Sequence, residues 1–304
     1  MNWDDLRFFL QVARTGRLTQ AARALGVDHA TVSRRIGALE DAVQAKLFDR
    51  SPRGYALTEA GQRLLPAAEA IESAAMSGAA AVGGRQHALS GAVRVGMPEG
   101  AASHLVTETA ALLCDAHPQL ELQIVALPRS FSLSQREADF AVVVTPPESG
   151  RLRIRKIADY HLRLYAARSF LAGREPRSLD DLRGMRGVGY VQDLIFDKGL
   201  DYVAEIGGGL SPQLTSTSLL VQLELTLAGG GLCILPDFMA RRRPELVPVL
   251  PEQTCLTRAY WLVLHQNTAE IPRIRRVAHA FADAMRQKLA EAEAQPPDSA
   301  AKAT

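Results

Sequence analysis

Residues 21–40 read AARALGVDHATVSRRIGALE. Two helical patterns flank a Gly26-Val27-Asp28 break. Leu18, Ala21, Ala22 and Leu25 lie on one face of the first helix. Val32, Ile36, Leu39 and Val43 lie on one face of the second. Gly26 supplies a permissive backbone for a sharp turn, Val27 plugs it, and Asp28 can cap the helix that follows. Upstream, Leu6, Phe9, Leu10 and Ala13 mark a third apolar face. Small Ala21 and Ala22 allow close helix approach, and a short Gly-containing turn between two such helices predicts a helix-turn-helix. The polar side of its second helix offers His29, Thr31, Ser33, Arg34 and Arg35, with Thr19 on the helix before it. Ser and Thr suit phosphates or the thymine methyl, and Arg suits guanine or phosphate. On spacing alone, a solvated face of an ordinary helical bundle fits as well.

The next residues favour the DNA reading. LFDRSPRGYALTEAG, residues 47–61, places Arg50 and Arg53 around a Pro-Gly turn, with Tyr55 and Leu57 alternating as in a short strand. This is what a wing touching the DNA backbone or minor groove requires. Thr58 then predicts the cap of a long helix. Ala60, Leu64, Ala67, Ile71, Ala74, Gly78 and Ala81 follow at alternating spacings of four and three. That is a heptad seam along about 33 Å of helix. Pro66 inside it should kink the helix or remove one hydrogen bond. No other early segment is expected to cover the seam, so the reading is pairing with a second copy through Ala60, Leu64, Ala67, Ile71 and Ala74.

The chain has 304 residues, enough for two or three domains, with 47% hydrophobic and 22% charged residues. Net charge is only +2, so any basic footprint must be local. Only Lys46, Lys156, Lys198, Lys288 and Lys302 are lysine. That arginine bias suits phosphate contacts, but a GC-rich genome produces it equally. Cys114, Cys233 and Cys255 are widely spaced in apolar settings and read as buried reduced thiols. With no signal-peptide pattern and no long apolar run, the chain reads as cytoplasmic, without a membrane partner. After Gly83-Gly84 and Ser90-Gly91, short apolar runs alternate with helical patterns, as in an α/β domain with parallel strands. The tail QPPDSAAKAT is expected to be disordered.

The run from Arg17 to Gly61 resembles the N-terminal winged helix-turn-helix of LysR-type transcriptional regulators. The match lies in Ala21, Ala22, Leu25, Val32, Ser33, Ile36, Leu39, Glu40, Leu47, Phe48, Arg50, Arg53, Leu57, Thr58 and Gly61. Three positions depart from the family pattern. Arg17 stands where a Ser-like cap is usual, and Asp28-His29 stand where Ser-Gln is common. Gln44 stands where Gly is frequent, and a left-handed Gln44 costs on the order of 1 kcal/mol.

The resemblance implies a winged helix-turn-helix over residues 1–58, a linker and dimerisation helix over 59–90, and an effector-binding domain over 91–290. The last would be two-lobed α/β, of periplasmic-binding-protein type, with lobe one at about 92–160 and 266–290 and lobe two at about 161–265. Residues 291–304 would be the disordered tail. It further implies double-stranded DNA, a small-molecule effector, a homodimer or homotetramer and the transcription machinery as partners, with no cofactor, metal or catalytic residue. Ligands of such folds bind outside the carboxyl ends of strands, near helix starts. The candidate effector residues are therefore Pro98, Glu99, Gly100, Ser103, Thr145, Pro146, Tyr190, Thr215, Ser216, Thr217 and Ser218. Glu99 disfavours a carboxylate ligand beside it and argues for a cationic or hydroxylated one. The rival is an oligomeric small-molecule-binding or enzymatic α/β domain with a helical oligomerisation bundle. Against an enzyme, the chain has no G-x-S-x-G elbow or H-E-x-x-H pair. Its GGG runs at 207–209 and 229–231 lack the dinucleotide-binding order.

Overall fold

A computed structural model of the chain describes residues 2–51, 54–82, 89–126, 138–195, 198–269 and 271–294. It forms two compact units, the first running to Ser90 and taking in Pro272 and Arg273, the second Gly91–Ala269 with the chain from Ile274. The first opens with α1 (Asp4–Thr15), α2 (Leu18–Leu25) and α3 (His29–Val43). Their apolar faces meet in one core of Leu6, Phe9, Leu10, Ala21, Ala22, Val32, Ile36 and Leu39, with Phe8 and Val12 added. Gly26 ends α2 at φ 68° and Asp28 caps α3, as the break in the sequence predicts. Arg17 begins α2 with extended backbone and no side-chain cap.

The hairpin β1 (Phe48–Ser51) and β2 (Gly54–Leu57) pairs Phe48 with Leu57 and Arg50 with Tyr55. Phe48 joins the core, its ring 5.3 Å from Phe9 and 6.0 Å from Tyr55. Helix α4 (Glu59–Val82) follows. The Thr58 hydroxyl accepts from the Gly61 amide at 3.0 Å and donates to the Lys46 carbonyl at 2.6 Å. A Cβ at Gly61 would collide with the Leu47 carbonyl, so only glycine lets α4 lie this close to the wing. The helix runs unbroken through Pro66.

The seam of α4 needs correcting. Ala60, Leu64 and Ile71 pack, together with Leu65 and Ala68, onto the unit's own core. The cover comes from α1, whose Arg14 pairs with Glu72 of α4. Ala67 and Ala74 remain exposed, and the side chains of Gly78 and Ala81 lie outside the described residues.

The second unit begins with β3 (Ser90–Met97), α5 (Glu99–Leu105), α6 (Thr107–Ala116), β4 (Gln119–Ala126) and β5 (Phe140–Val143). The long β6 (Leu152–Ala167) and the short α7 (Arg168–Leu171) come next. They are followed by β7 (Arg186–Gly189), α8 (Tyr202–Ile206), β8 (Ser211–Thr215), α9 (Leu219–Leu227), β9 (Leu232–Pro236), α10 (Asp237–Ala240) and β10 (Leu246–Pro248). The chain returns through β11 (Leu256–His265), α11 (Gln266–Ala269) and α12 (Pro272–Ala294). One sheet runs in the order β4-β3-β5-β11-β6-β9-β7-β8, with β10 on β6.

Strands β3 and β5 are parallel, as are β7 with β8 and with β9. The expectation of parallel strands fails at β6 and β11, which run antiparallel to each other and to their other neighbours. They are the crossover strands between the two halves of the sheet, so they enter it in opposite directions. Beyond a register shift after Tyr260, residues 261–264 of β11 pair with β5. The other half begins where β6 residues 162–165 pair with β9.

Two smaller expectations also change. Cys233 is buried and Cys114 partly so, but Cys255 is exposed, because Thr254 beside it turns inward to the Val249 carbonyl at 2.9 Å. Helix α12 continues through 291–294, where the Ala292 carbonyl accepts from Arg241 at 2.8 Å and Glu293 meets His161 at 3.1 Å. The rest of the tail lies outside the described residues. Among the described residues no helix is long and apolar enough to cross a membrane.

Gln44 ends α3 in the left-handed region, at φ 51° and ψ 38°. A Cβ is disfavoured there, whereas Gly26 in the same conformation carries none. Gln44→Gly is therefore expected to stabilise the protein by roughly 0.5–1 kcal/mol, read by denaturant unfolding. A less stable variant would reject the strain.

Candidate DNA interface and effector cleft

Helix α3 buries Val32, Ile36 and Leu39 and turns the opposite side outward. His29 and Arg34 are exposed, while Thr31 and Ser33 are half-buried. Asp28 is an exposed cap: it accepts from the Thr31 amide at 2.7 Å and the Thr31 hydroxyl at 2.9 Å. These bonds hold its carboxyl below the usual range. Thr19 is exposed on α2. Arg50 is exposed on the wing, its guanidinium 5.6 Å over the Tyr55 ring, and Arg53 lies outside the described residues.

Arg35 does something the sequence reading missed. It donates to Asp5 at 2.9 Å, lies 3.8 Å from Asp4 and stands 5.5 Å over the Phe8 ring. Arg35 thus ties α3 to α1 and is drawn away from the outward face. Asp5, 30 residues away in sequence, carried no signal for this pairing.

Glu40 was legible only as a matched position. Its side chain is 2% exposed, and it links the end of α3 to the wing. It accepts from the Leu47 amide at 2.9 Å, the Phe48 amide at 3.4 Å and Lys46 Nζ at 2.7 Å. Burial acts to raise its pKa, but the Lys46 and Leu47 bonds outweigh burial and the carboxyl titrates below its ordinary value. A lowered folded pKa means stability present above the ordinary glutamate value and lost as pH falls through the lower one.

In the second unit the carboxyl ends of the parallel strands converge. Beside β5, β3 ends at Pro98 and the start of α5, and Thr145 and Pro146 follow β5 itself. In the other half Tyr190 follows β7, and the Ser216 amide donates to the Gly189 carbonyl at 3.0 Å. Ser218 caps α9, its hydroxyl accepting from the Val221 amide at 3.2 Å. The halves meet where both Glu99 carboxylate oxygens accept from the Ser218 hydroxyl, at 3.1 and 2.9 Å. A Cβ on Gly100 would come within 2.8 Å of Met239 Sδ and 3.0 Å of Leu219 Cδ2, so a larger residue would make the ends of those two side chains shift. Ser103 instead donates within its own helix, to the Glu99 carbonyl at 2.8 Å. Thr215 and Thr217 are exposed.

The structure adds an aromatic cluster that the sequence reading missed. Tyr160 and Tyr260 stack at 4.3 Å on the crossover strands, and Phe238 lies 5.9 and 6.4 Å from them. Tyr190 and Tyr202 meet edge-on at 6.2 Å. Burial above all, then Tyr202, Cys233, Tyr260 and Glu99, push the Tyr190 phenol well up, so it stays neutral.

The chain is a winged helix-turn-helix followed by a two-halved α/β unit, the architecture of a DNA-binding regulator with an attached second domain. A family model described as "Bacterial regulatory helix-turn-helix protein, lysR family" matches residues 3–62, and one described as "LysR substrate binding domain" matches residues 86–288. The chain belongs to the LysR family of bacterial transcriptional regulators. It is 26% identical over 260 residues to the HTH-type transcriptional regulator CrgA of Neisseria meningitidis serogroup C, covering 83% of this chain and 86% of that one. It is 26% identical over 285 residues to the regulator HdfR of Yersinia pestis, covering 91% and 95%. In fold it is similar to full-length LysG from Corynebacterium glutamicum with bound effector Arg. The TM-score there is 0.63 at 19% identity, over 94% of this chain and 99% of that one.

Glu40→Gln is expected to cost about 1–3 kcal/mol at neutral pH, because a charged, buried acceptor is lost. The difference from wild type should shrink as the pH falls below about 4.5. Thermal unfolding of both proteins across that range checks this, and a gap independent of pH would refute it.

Proposed function

We propose that this regulator acts as a homo-oligomer, a dimer or tetramer, that reads double-stranded DNA through residues 1–58. Residues 59–90 join the copies, and residues 91–290 bind a small-molecule effector. It works in the cytoplasm with the transcription machinery and without chemistry of its own. Helix α3 enters the major groove with His29, Thr31, Ser33 and Arg34, while Asp28 sets the helix start at the groove. Thr19, Arg50 and Arg53 meet the backbone or minor groove. The observation that carries this reading is the split between adjacent arginines: Arg34 is exposed, and Arg35 is held by Asp5. Paired copies would place two reading helices a whole number of DNA turns apart.

The effector would sit between the lobes, lobe one at about 92–160 and 266–290 and lobe two at about 161–265. Pro98, Glu99, Gly100, Thr145 and Pro146 would border it on one side. Tyr190, Thr215, Ser216, Thr217 and Ser218 would border it on the other, with Ser103 supporting α5. Closure of the lobes would change the spacing of the reading helices and so transcription.

Arg34→Ala should weaken binding to the DNA upstream of its own gene by about 5- to 100-fold, or about 1–3 kcal/mol, with unchanged unfolding. Arg35→Ala should lower stability by about 1–3 kcal/mol by stripping Asp5 of its partner. Fluorescence anisotropy across a salt series together with thermal unfolding reads both effects. If no such fragment binds with a steep salt dependence, the rival oligomeric ligand-binding reading takes its place.

The oligomer is tested at the exposed part of the seam. Ala67→Asp with Ala74→Asp leaves the core untouched and should reduce the mass measured by light scattering. Unchanged mass would reject pairing through this face.

A further inference from the structure

The second unit carries an open cavity of about 600 Å³ away from the candidate effector residues. Arg186, which opens β7, lines it, whereas Tyr190 and Ser216 follow the closing ends of β7 and β8. The two places thus lie at opposite ends of the same parallel strands. The other side chains that shape the cavity are Ser169 and Phe170 of α7, Arg174, Met185 and Gln213 of β8.

One wall is the turn after α9, and it gives the second GGG run of the sequence a role. Gly229 leaves the helix at φ 76°, and a Cβ on Gly231 would collide with the Arg186 carbonyl. Glycine therefore keeps this turn pressed against the start of β7. The Arg186 guanidinium donates to the Gly230 carbonyl through Nε and to the Gly229 carbonyl through Nη2, the latter at 2.9 Å. It also stands 5.7 Å over the Phe170 ring. Its position is fixed, but by neutral acceptors, and Nη1 makes no hydrogen bond among the described residues. Arg174 is exposed, and its guanidinium has no hydrogen bond or ion pair among the described residues. None of the residues lining the cavity is acidic. Two guanidiniums thus line one cavity with no carboxylate to neutralise them.

We infer that this cavity is a second ligand site, separate from the effector cleft, and that it takes a small organic carboxylate with an apolar body. The carboxylate meets the free donors of Arg174 and Arg186, whose planar forks match its two oxygens. Phe170 and Met185, both half-buried, receive the apolar body. The volume lies within the range of about 300–1,000 Å³ usual for small-molecule sites. An amine would meet two like charges here, and an inorganic anion would leave the apolar side chains unused.

The test titrates the full-length protein calorimetrically with benzoate and phenylacetate, with benzamide and inorganic phosphate as controls. Wild type should bind at least one carboxylate, and neither control as tightly. Arg174→Ala removes a side chain that makes no structural bond, so its thermal unfolding should match wild type. Its carboxylate affinity should fall by about tenfold or more, the worth of one charge-assisted bond. Ser169→Trp, at an exposed position, fills the cavity and should abolish binding. If Arg174→Ala unfolds early, Ser169→Trp decides alone. Ser218→Ala, at the effector cleft, should leave the affinity unchanged. A wild type that binds no carboxylate, or binding that persists unchanged in Arg174→Ala or Ser169→Trp, overturns the site. Binding lost only in Ser218→Ala places the carboxylate in the effector cleft and overturns it as well. Benzamide bound as tightly as benzoate overturns the anionic class, and phosphate bound as tightly overturns the organic one.

Discussion

The DNA-reading unit depends on one buried carboxylate. Glu40 sits near the end of α3 and satisfies the amides of Leu47 and Phe48, the residues that begin the wing. A buried amide without a partner costs about 1–3 kcal/mol, so the turn between α3 and β1 is held at the angle that pairs them. Phe48 then reaches the Phe9 ring, Thr58 can bond the Lys46 carbonyl, and α4 leaves from a fixed point. At its other end α3 is held by the Asp28 cap and by Arg35 on Asp5. The recognition face is therefore a rigid object whose outward side chains are those left over from holding it in place.

In the effector unit the corresponding constraint is the antiparallel pair β6 and β11, which joins the two halves of the sheet. Tyr160 and Tyr260 stack near its register shift, where the pairing passes from one half to the other. The contact between Glu99 and Ser218 joins the two halves a second time.

Much of this was legible in the residues. The faces of α1, α2 and α3 repeat at helical spacing, and each buried position named from that spacing lies in or against one core. The caps at Asp28 and Thr58 follow from local rules, because the partners are within a few residues, whereas the left-handed Gln44 was suggested only by the family resemblance. The seam of α4 was misjudged for the opposite reason. Its spacing shows an apolar stripe but not what covers it, and α1, far upstream, covers part. Likewise Cys255 and Thr254 exchange inside for outside in a turn that no periodicity governs.

The sequence by itself determined the kinds of element, their order, the helix-turn-helix and the places where strands hand over to helices. Those features rest on short-range periodicity and capping, which act within a turn or two of chain. Only the tertiary structure decided which polar residues are free to meet a ligand. Arg34 and Arg35 are alike in sequence, but one is turned to solvent and the other is spent on Asp5. Glu99 and Ser218 are 119 residues apart, and only the folded sheet makes the carboxylate of one the partner of the other. Long-range electrostatic pairing of this kind depends on position in space, which local pattern does not encode.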